Sequence, residues 1–86
     1  MKALSDETRI KIFEILSHDE LCACEILEEF NITQPTLSYH MKTLCESGLV
    51  KSRKDAIMTK YSIDKESFEN FRKFFDIIDK NLSNTL

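Results

Sequence analysis

The chain has 86 residues, 42% of them hydrophobic, with one glycine, one proline and a formal net charge of −3. This length fits a single domain over residues 1–86, and the apolar content excludes a disordered chain. No run of eighteen apolar residues is present and the start lacks the apolar core of a signal peptide, so we expect a cytoplasmic protein that does not enter a membrane. There, the three cysteines are expected to be reduced, metal-binding or buried.

The spacing of apolar residues predicts two helices in the first third of the chain. The first covers residues 6–17 and places Ile12, Phe13 and Leu16 on one side. The second covers residues 22–30 and has apolar residues at positions i, i+3, i+4 and i+7. Both helices therefore have one face suited to a common core.

A third helix is predicted after a turn at residues 31–33. Thr33 is suited to cap it, and Pro35 falls in its first turn, where the missing N–H does no harm. Gly48, the single glycine, fits a left-handed residue after a helix that ends near Ser47. The buried stripe of this helix is expected to comprise Leu37, Met41, Leu44 and Cys45.

Alternation over residues 50–63 predicts a β-hairpin with its tip near residues 54–56, and a last helix is predicted over residues 65–82. The apolar seam of that helix, which either a partner or the chain's own core would cover, contains Phe68, Phe71, Phe75 and Ile78. The order of elements predicts a mainly α fold with a β-hairpin. This is a winged helix-turn-helix, with the helix-turn-helix at about 22–47, the wing at about 50–63 and a dimerisation helix at about 65–82.

The charge distribution and the third helix indicate DNA binding. Residues 31–65 carry six Lys and Arg against three carboxylates, a net charge of +3 in a chain that is acidic overall. The exposed face of the helix offers groups for base edges and phosphates, namely Gln34, Thr36, Ser38, Tyr39, His40 and Lys42. The hairpin adds basic residues for the DNA backbone, namely Lys51, Arg53, Lys54 and Lys60. For His40 a buried, hydrogen-bonded role is an equal alternative, because it borders the stripe.

Cys22 and Cys24 form a second candidate site, because thiolates bind soft metals and metalloids. With Cys22 as N-cap and Glu25 three residues later, the stretch has the layout of a capping box in which cysteine replaces serine. Residues i and i+2 of a regular helix point about 200° apart. We therefore expect both thiols to hold one ion only if the first helical turn is distorted, and we expect that distortion to misalign the third helix. Cys45 is either a third ligand or a core residue.

Six short segments resemble one protein family. They are KALSDETRI at 2–10, ELCACE at 20–25, TQPTLSYHMK at 33–42, GLV at 48–50, RK at 53–54 and YSI at 61–63. They are similar to the N-terminal signature, thiol metal box, recognition helix and wing of the ArsR/SmtB family, and above all to its arsenic-responsive branch. The resemblance implies a homodimeric repressor that binds double-stranded operator DNA of its own resistance operon. It also implies that As(III), Sb(III) or another soft metal releases the DNA.

The chain departs from the family pattern in three places. It begins almost at the N-terminal signature, so we expect most of the family's additional N-terminal helix to be missing and dimerisation to depend on residues 65–82. The wing tip has Asp55-Ala56 where the family has an acidic residue and glycine, and Leu27 stands where some members have a third thiol. Residues 64–86 contain no histidine, so the family's zinc site on the last helix is not expected.

Alternative functions remain open from the sequence. Within the same class the inducer is alternatively Cd(II), Pb(II) or Zn(II). A redox switch, in which Cys22 and Cys24 are oxidised, is a second class, although a disulfide between residues i and i+2 is strained. A thiol enzyme is a third class, but no base, oxyanion site or substrate pocket is evident, and no organic cofactor is expected.

Overall fold

Helices dominate the computed structural model, which describes residues 2–84. A 3₁₀ turn at Lys2–Leu4 precedes the first helix. The elements that follow are α1 (Glu7–Leu16), β1 (Leu21–Cys22), α2 (Ala23–Glu28), α3 (Gln34–Glu46), β2 (Val50–Asp55), β3 (Met58–Ile63) and α4 (Lys65–Asn84). This order confirms the predicted winged helix-turn-helix.

Asp6 caps the first helix. Its carboxylate accepts hydrogen bonds from the backbone N–H of Thr8 at 2.8 Å and of Arg9 at 3.2 Å. The prediction of a helix over residues 6–17 was one residue too long at each end, because Asp6 and Ser17 are its caps. The predicted bounds placed Asp6 inside the helix, so its role as N-cap was not predicted.

The second helix is shorter than the predicted residues 22–30. Cys22 is its N-cap, with an extended backbone (φ −83°, ψ 163°), and Glu29 is its C-cap. The third helix begins and ends as predicted: Thr33 accepts a hydrogen bond at its N-terminus, and Gly48 follows its C-cap with a φ of 83°. That left-handed residue turns the chain from α3 into β2.

The wing contains a strand that the alternating pattern did not predict. β2 and β3 form the antiparallel hairpin, and β1 pairs with the other edge of β3, so the sheet order is β1-β3-β2. The register places Leu21 opposite Tyr61 and Cys22 opposite Lys60. The segment that carries the first thiol is therefore one of the two edge strands of the wing sheet.

The turn of the hairpin lies later than the predicted residues 54–56. Asp55 still belongs to β2 and pairs with Met58. The turn consists of Ala56 and Ile57, and Ala56 takes the left-handed region with a φ of 58°. Glycine would adopt this conformation without strain, so Ala56 makes the tip less favourable than the family pattern would.

The core lies between α1, α2, α3 and the start of β2. Its buried hydrophobic residues are Ala3, Ile12, Leu16, Ile26, Leu37, Met41, Leu44, Leu49 and Val50. Three residues of the predicted α3 stripe belong to it, whereas the fourth, Cys45, is half-buried. This packing determines which face of α3 points away from the protein.

The last helix has 20 residues and is about 30 Å long. None of its described side chains is fully buried. Phe71 packs against the core and Ile78 is half-buried. The large apolar side chains that are 43–59% exposed are Phe68, Phe74, Phe75 and Ile77. Among residues 2–84 no helix is both long and apolar enough to cross a membrane.

Candidate metal centre and DNA-binding surface

The two thiols lie next to each other at the junction of β1 and α2. Cys22 ends the strand and caps the helix, whereas Cys24 lies in the first helical turn. Their sulfur atoms are 2.7 Å apart. The expectation that both thiols reach one ion only after helix distortion is therefore wrong, because Cys22 does not have helical geometry. Metal–thiolate bonds of about 2.3 Å in tetrahedral geometry place two sulfurs about 3.8 Å apart, so these sulfurs need to separate by only about 1 Å to share an ion.

The two thiols differ in burial and in their hydrogen bonds. Cys22 is 2% exposed, whereas Cys24 is exposed. The contact with Cys24, and then burial, raise the pKa of the Cys22 thiol above its ordinary value. Glu25 accepts a hydrogen bond from the Cys22 N–H at 3.0 Å, as the capping box predicts, and this bond lowers the pKa of Glu25. One sulfur is thus open to solvent while its neighbour is sheltered.

Cys45 is not grouped with the thiol pair. In the part of the chain that the structure describes, no three His, Cys, Asp or Glu side chains are close enough together to hold a metal ion. Cys45 is half-buried beside the core, and burial raises its pKa. Of its two open roles, the structure favours the core.

Cys24 faces the third helix across a cleft of about 220 Å³. The residues that matter most in its lining are Cys24 and Leu27 from α2, Gln34 and Ser38 from α3, and Tyr61 from β3. Two residues predicted to contact DNA therefore share a cleft with the exposed thiol. Any group that binds or modifies the Cys24 sulfur would therefore lie beside the first two turns of α3.

A buried arginine holds α3 against α1. Arg9 and His40 are 6% and 7% exposed. The Nε of Arg9 donates to the Ala3 carbonyl at 2.8 Å, and its Nη1 lies 3.0 Å from Nδ1 of His40. Because arginine only donates, the imidazole accepts at Nδ1. Of the two roles left open for His40, the structure favours the buried one.

The sequence did contain a signal for this contact. Arg9 lies three residues before Ile12, on the apolar face of α1. A charged residue at such a position requires a partner, since an unpaired buried charge is unfavourable. From the sequence, Arg9 was evident only as part of the segment KALSDETRI, and no contact was predicted for it.

The other predicted contacts of α3 lie on its exposed face. They are Gln34, Thr36, Ser38, Tyr39 and Lys42. The Tyr39 ring is 59% exposed and lies over the Arg9 guanidinium, with its centroid 6.0 Å from Cζ. The buried pair therefore also supports one side chain that points away from the core.

Two basic residues of the wing are held by carboxylates. Arg53 donates two hydrogen bonds to Glu20, from Nε at 2.8 Å and from Nη2 at 2.7 Å, and these bonds lower the pKa of Glu20. Lys60 lies 3.2 Å from Asp55. Lys54 is exposed, and the structure records no ion pair for it within residues 2–84. This role of Glu20 was not predictable from the sequence, since its partner Arg53 is 33 positions away.

Known proteins resemble both the sequence and the fold. Residues 6–52 match the model of the family described as bacterial regulatory protein, arsR family. The arsenical resistance operon repressor of Staphylococcus xylosus is 44% identical over 78 residues, covering 91% of this chain and 75% of that protein. A cadmium resistance transcriptional regulatory protein CadC homolog of Staphylococcus aureus is 41% identical over 66 residues, covering 76% of this chain and 54% of that protein.

A solved structure extends the comparison to the whole fold. An ArsR-like transcriptional regulator from Rhodococcus sp. RHA1 superposes with a TM-score of 0.84 at 24% identity, covering 99% of this chain and 80% of that one. The family match spans more than half of this chain and includes the thiol pair and α3. The chain therefore belongs to the ArsR family of bacterial regulatory proteins, and it is a DNA-binding transcriptional regulator with a winged helix-turn-helix rather than an enzyme.

Proposed function

We propose that this protein is a homodimeric cytoplasmic repressor that binds double-stranded operator DNA and releases it when As(III) or Sb(III) binds Cys22 and Cys24. The observation that carries the proposal is the distance of 2.7 Å between the two sulfurs. The thiol pair is joined to α3 through α2, and to the wing through β1. The name of the relative from Staphylococcus xylosus, an arsenical resistance operon repressor, supports this class of inducer.

The proposed DNA contacts divide between bases and phosphates. Residues at or near the start of α3 are suited to base edges and nearby phosphates, and they are Gln34, Thr36, Ser38 and Tyr39. Basic residues of α3 and the wing are suited to phosphates, and they are Lys42, Arg53, Lys54 and Lys60. His40 is left out because its side chain is buried against Arg9.

A second candidate inducer is Cd(II), because relatives named as cadmium resistance regulators are 41% and 43% identical to this chain. Pb(II) and Zn(II) also bind thiolates and belong in the same comparison. All of these ions would use Cys22 and Cys24 and would need at least one further ligand. Water, a small thiol or a group from the second protomer is suited to that position.

Operator release provides the test. A labelled DNA fragment from upstream of the protein's own gene is titrated with protein in the presence and absence of sodium arsenite. We expect arsenite to weaken binding by about 5- to 150-fold, the usual range of coupling between two sites. Cys22→Ser and Cys24→Ser are expected to lose this response, whereas the matched control Cys45→Ser keeps it. Release of the Cys22→Ser/Cys24→Ser double variant by arsenite would refute the proposal.

The same titration distinguishes the alternatives. Antimonite, Cd(II), Pb(II) and Zn(II) replace arsenite in turn, and thiolate absorbance measures the binding of each ion directly. Release by hydrogen peroxide in the absence of any metal, reversed by a reductant, would instead assign a redox switch to the thiol pair. Peroxide-insensitive DNA binding would exclude it.

The proposed dimer uses α4. Its exposed apolar residues lie beside an apolar cleft of about 210 Å³ along the first half of α4, and the lining of this cleft includes Leu4, Phe13 and Phe75. A second copy of α4 would cover this surface and add to a core that is small in an 86-residue chain. Sedimentation equilibrium is expected to show a dimer, which Phe75→Glu weakens and the control Lys80→Glu does not. A monomeric wild-type protein would contradict this part of the proposal.

A further inference from the structure

An ion pair spans the wing sheet from the thiol-bearing strand to the hairpin. Across the sheet, Cys22 in β1 is opposite Lys60 in β3, and Lys60 is opposite Arg53 in β2. Glu20 lies directly before β1, two residues before Cys22. Its carboxylate reaches across β3 and accepts two hydrogen bonds from Arg53. Glu20, just before the thiol pair, thus holds the Arg53 side chain of β2 on the far side of the sheet.

The Arg53 guanidinium keeps free donors in this contact. Nε and Nη2 face Glu20 at 2.8 and 2.7 Å, whereas Nη1 is 4.0 Å from Asp55, beyond hydrogen-bond distance. A guanidinium has five N–H donors in one plane, so three remain for another acceptor. The Arg53 side chain is 55% exposed and that of Glu20 is 29% exposed. The carboxylate therefore fixes one edge of the guanidinium and leaves the other edge accessible.

We propose that Glu20 is a positioning residue for DNA binding, which orients the Arg53 guanidinium so that its free edge meets a phosphate of the DNA backbone. The inference rests on the proposed role of Arg53 as a wing contact. A free arginine side chain samples many rotamers and loses that freedom when it binds, whereas an arginine already held by two hydrogen bonds has less to lose. Two parallel hydrogen bonds also determine the plane of the guanidinium, which a single bond would not.

The charge of Glu20 acts on DNA affinity in the direction opposite to its orienting role. A carboxylate beside a DNA contact repels phosphates, so its removal would strengthen DNA binding if charge alone mattered. The sign of the change in affinity therefore distinguishes orientation from charge. Glu28 provides a matched control, because it is an exposed glutamate of α2 for which the structure records no ion pair in residues 2–84.

The experiment uses metal-free full-length protein and a labelled double-stranded fragment from upstream of its gene, titrated between 50 and 200 mM salt. Glu28→Gln is expected to leave the affinity unchanged or to raise it. Glu20→Gln is expected to lower the affinity about threefold or more at low salt. It is also expected to reduce the slope of log affinity against log salt by about 0.9, the value for one phosphate contact. Glu20→Asp, which keeps the charge but shortens the reach, is expected to lower both quantities too.

Variants of Arg53 separate this inference from the proposed function. Arg53→Gln is expected to reduce the slope by the same amount, and Glu20→Gln is expected to add nothing in that background. If Arg53→Gln leaves affinity and slope unchanged, Arg53 is not a DNA contact, and both the proposed contact of Arg53 and the positioning role of Glu20 are refuted. If Arg53→Gln weakens binding but Glu20→Gln behaves like Glu28→Gln, only the positioning role is refuted. Thermal unfolding of each variant verifies that it is folded.

Discussion

The buried contact between Arg9 and His40 gives a quantitative test of how α3 is held. Arg9→Met removes the guanidinium and keeps much of the apolar stem. The Ala3 carbonyl and His40 Nδ1 then lose their donor. A buried polar atom left without a partner costs about 1–3 kcal/mol, so two cost about 2–6 kcal/mol. The variant also avoids the unfavourable burial of the guanidinium charge, which offsets part of this cost. We therefore expect the free energy of unfolding to fall by about 2–4 kcal/mol.

Urea unfolding at neutral pH and one fixed protein concentration measures this loss, since the stability of a dimer depends on concentration. Lys11→Met is the control. It lies on the same helix, its side chain is 62% exposed, and its contact with Glu7 is a surface ion pair worth about 0.5 kcal/mol or less. If the free energies of unfolding of the two variants differ by less than about 0.5 kcal/mol, the contact between Arg9 and His40 does not hold α3 against α1.

The remaining predictions concern the backbone and acid stability. Both Gly48 and Ala56 have a left-handed φ, which glycine adopts without strain and alanine does not. Gly48→Ala is therefore expected to lower the free energy of unfolding by about 1 kcal/mol, and Ala56→Gly is expected to raise it by up to about 0.5 kcal/mol. Urea midpoints that shift in the same direction for both variants would contradict this. Hydrogen bonds from the backbone N–H of Arg9 and then of Thr8 lower the pKa of Asp6. The ionised Asp6 carboxylate therefore stabilises the folded protein above its unfolded-state pKa, and this stabilisation is lost as the pH falls through its lower pKa in the folded state. Asp6→Asn, which keeps the cap, is expected to match wild type at pH 7 and to lose less stability below about pH 4; equal acid sensitivity would contradict the assignment.

Local chemistry predicted the helices, with bounds that differ from the observed ones by one or two residues for α1, α2 and α4. The cap at Thr33 and the glycine at position 48 act through neighbouring residues, so their effects could be read from a short segment, whereas Asp6 was placed inside α1 instead of at its N-cap. The strand β1 could not be predicted in this way, because two residues give no alternation and their partners lie about 40 positions later. The position of β1 also explains the error about the thiols. Once Cys22 belongs to a strand, the angle between side chains of a helix no longer applies to the pair.

The same limit applies to charged contacts. The basic character of the wing was evident, but the partner of Arg53 is 33 residues away and no pattern connects it with Glu20. His40 differed, since its place beside the buried stripe already indicated two possible roles. The structure favoured one of them only by showing a donor from another helix within 3.0 Å. Long-range partners determine what polar side chains do, whereas periodicity determines only which face they occupy.

If arsenite binds Cys22 and Cys24 as proposed, magnitudes favour β1 rather than α2 as the element that moves. The two residues of β1 pair only with β3, at about 0.5–1.5 kcal/mol for each hydrogen bond, and they contribute the small Cys22 side chain and half-buried Leu21 to the packing. Opening this pairing while both side chains stay packed is therefore within the coupling of about 1–3 kcal/mol expected between two sites. Displacing α2 would empty the site of Ile26, which is 0% exposed, at about 2–5 kcal/mol. Backbone hydrogen exchange is therefore expected to become faster at Leu21 with arsenite while Ile26 stays protected. Loss of protection at Ile26 without any change at Leu21 would show instead that α2 carries the signal.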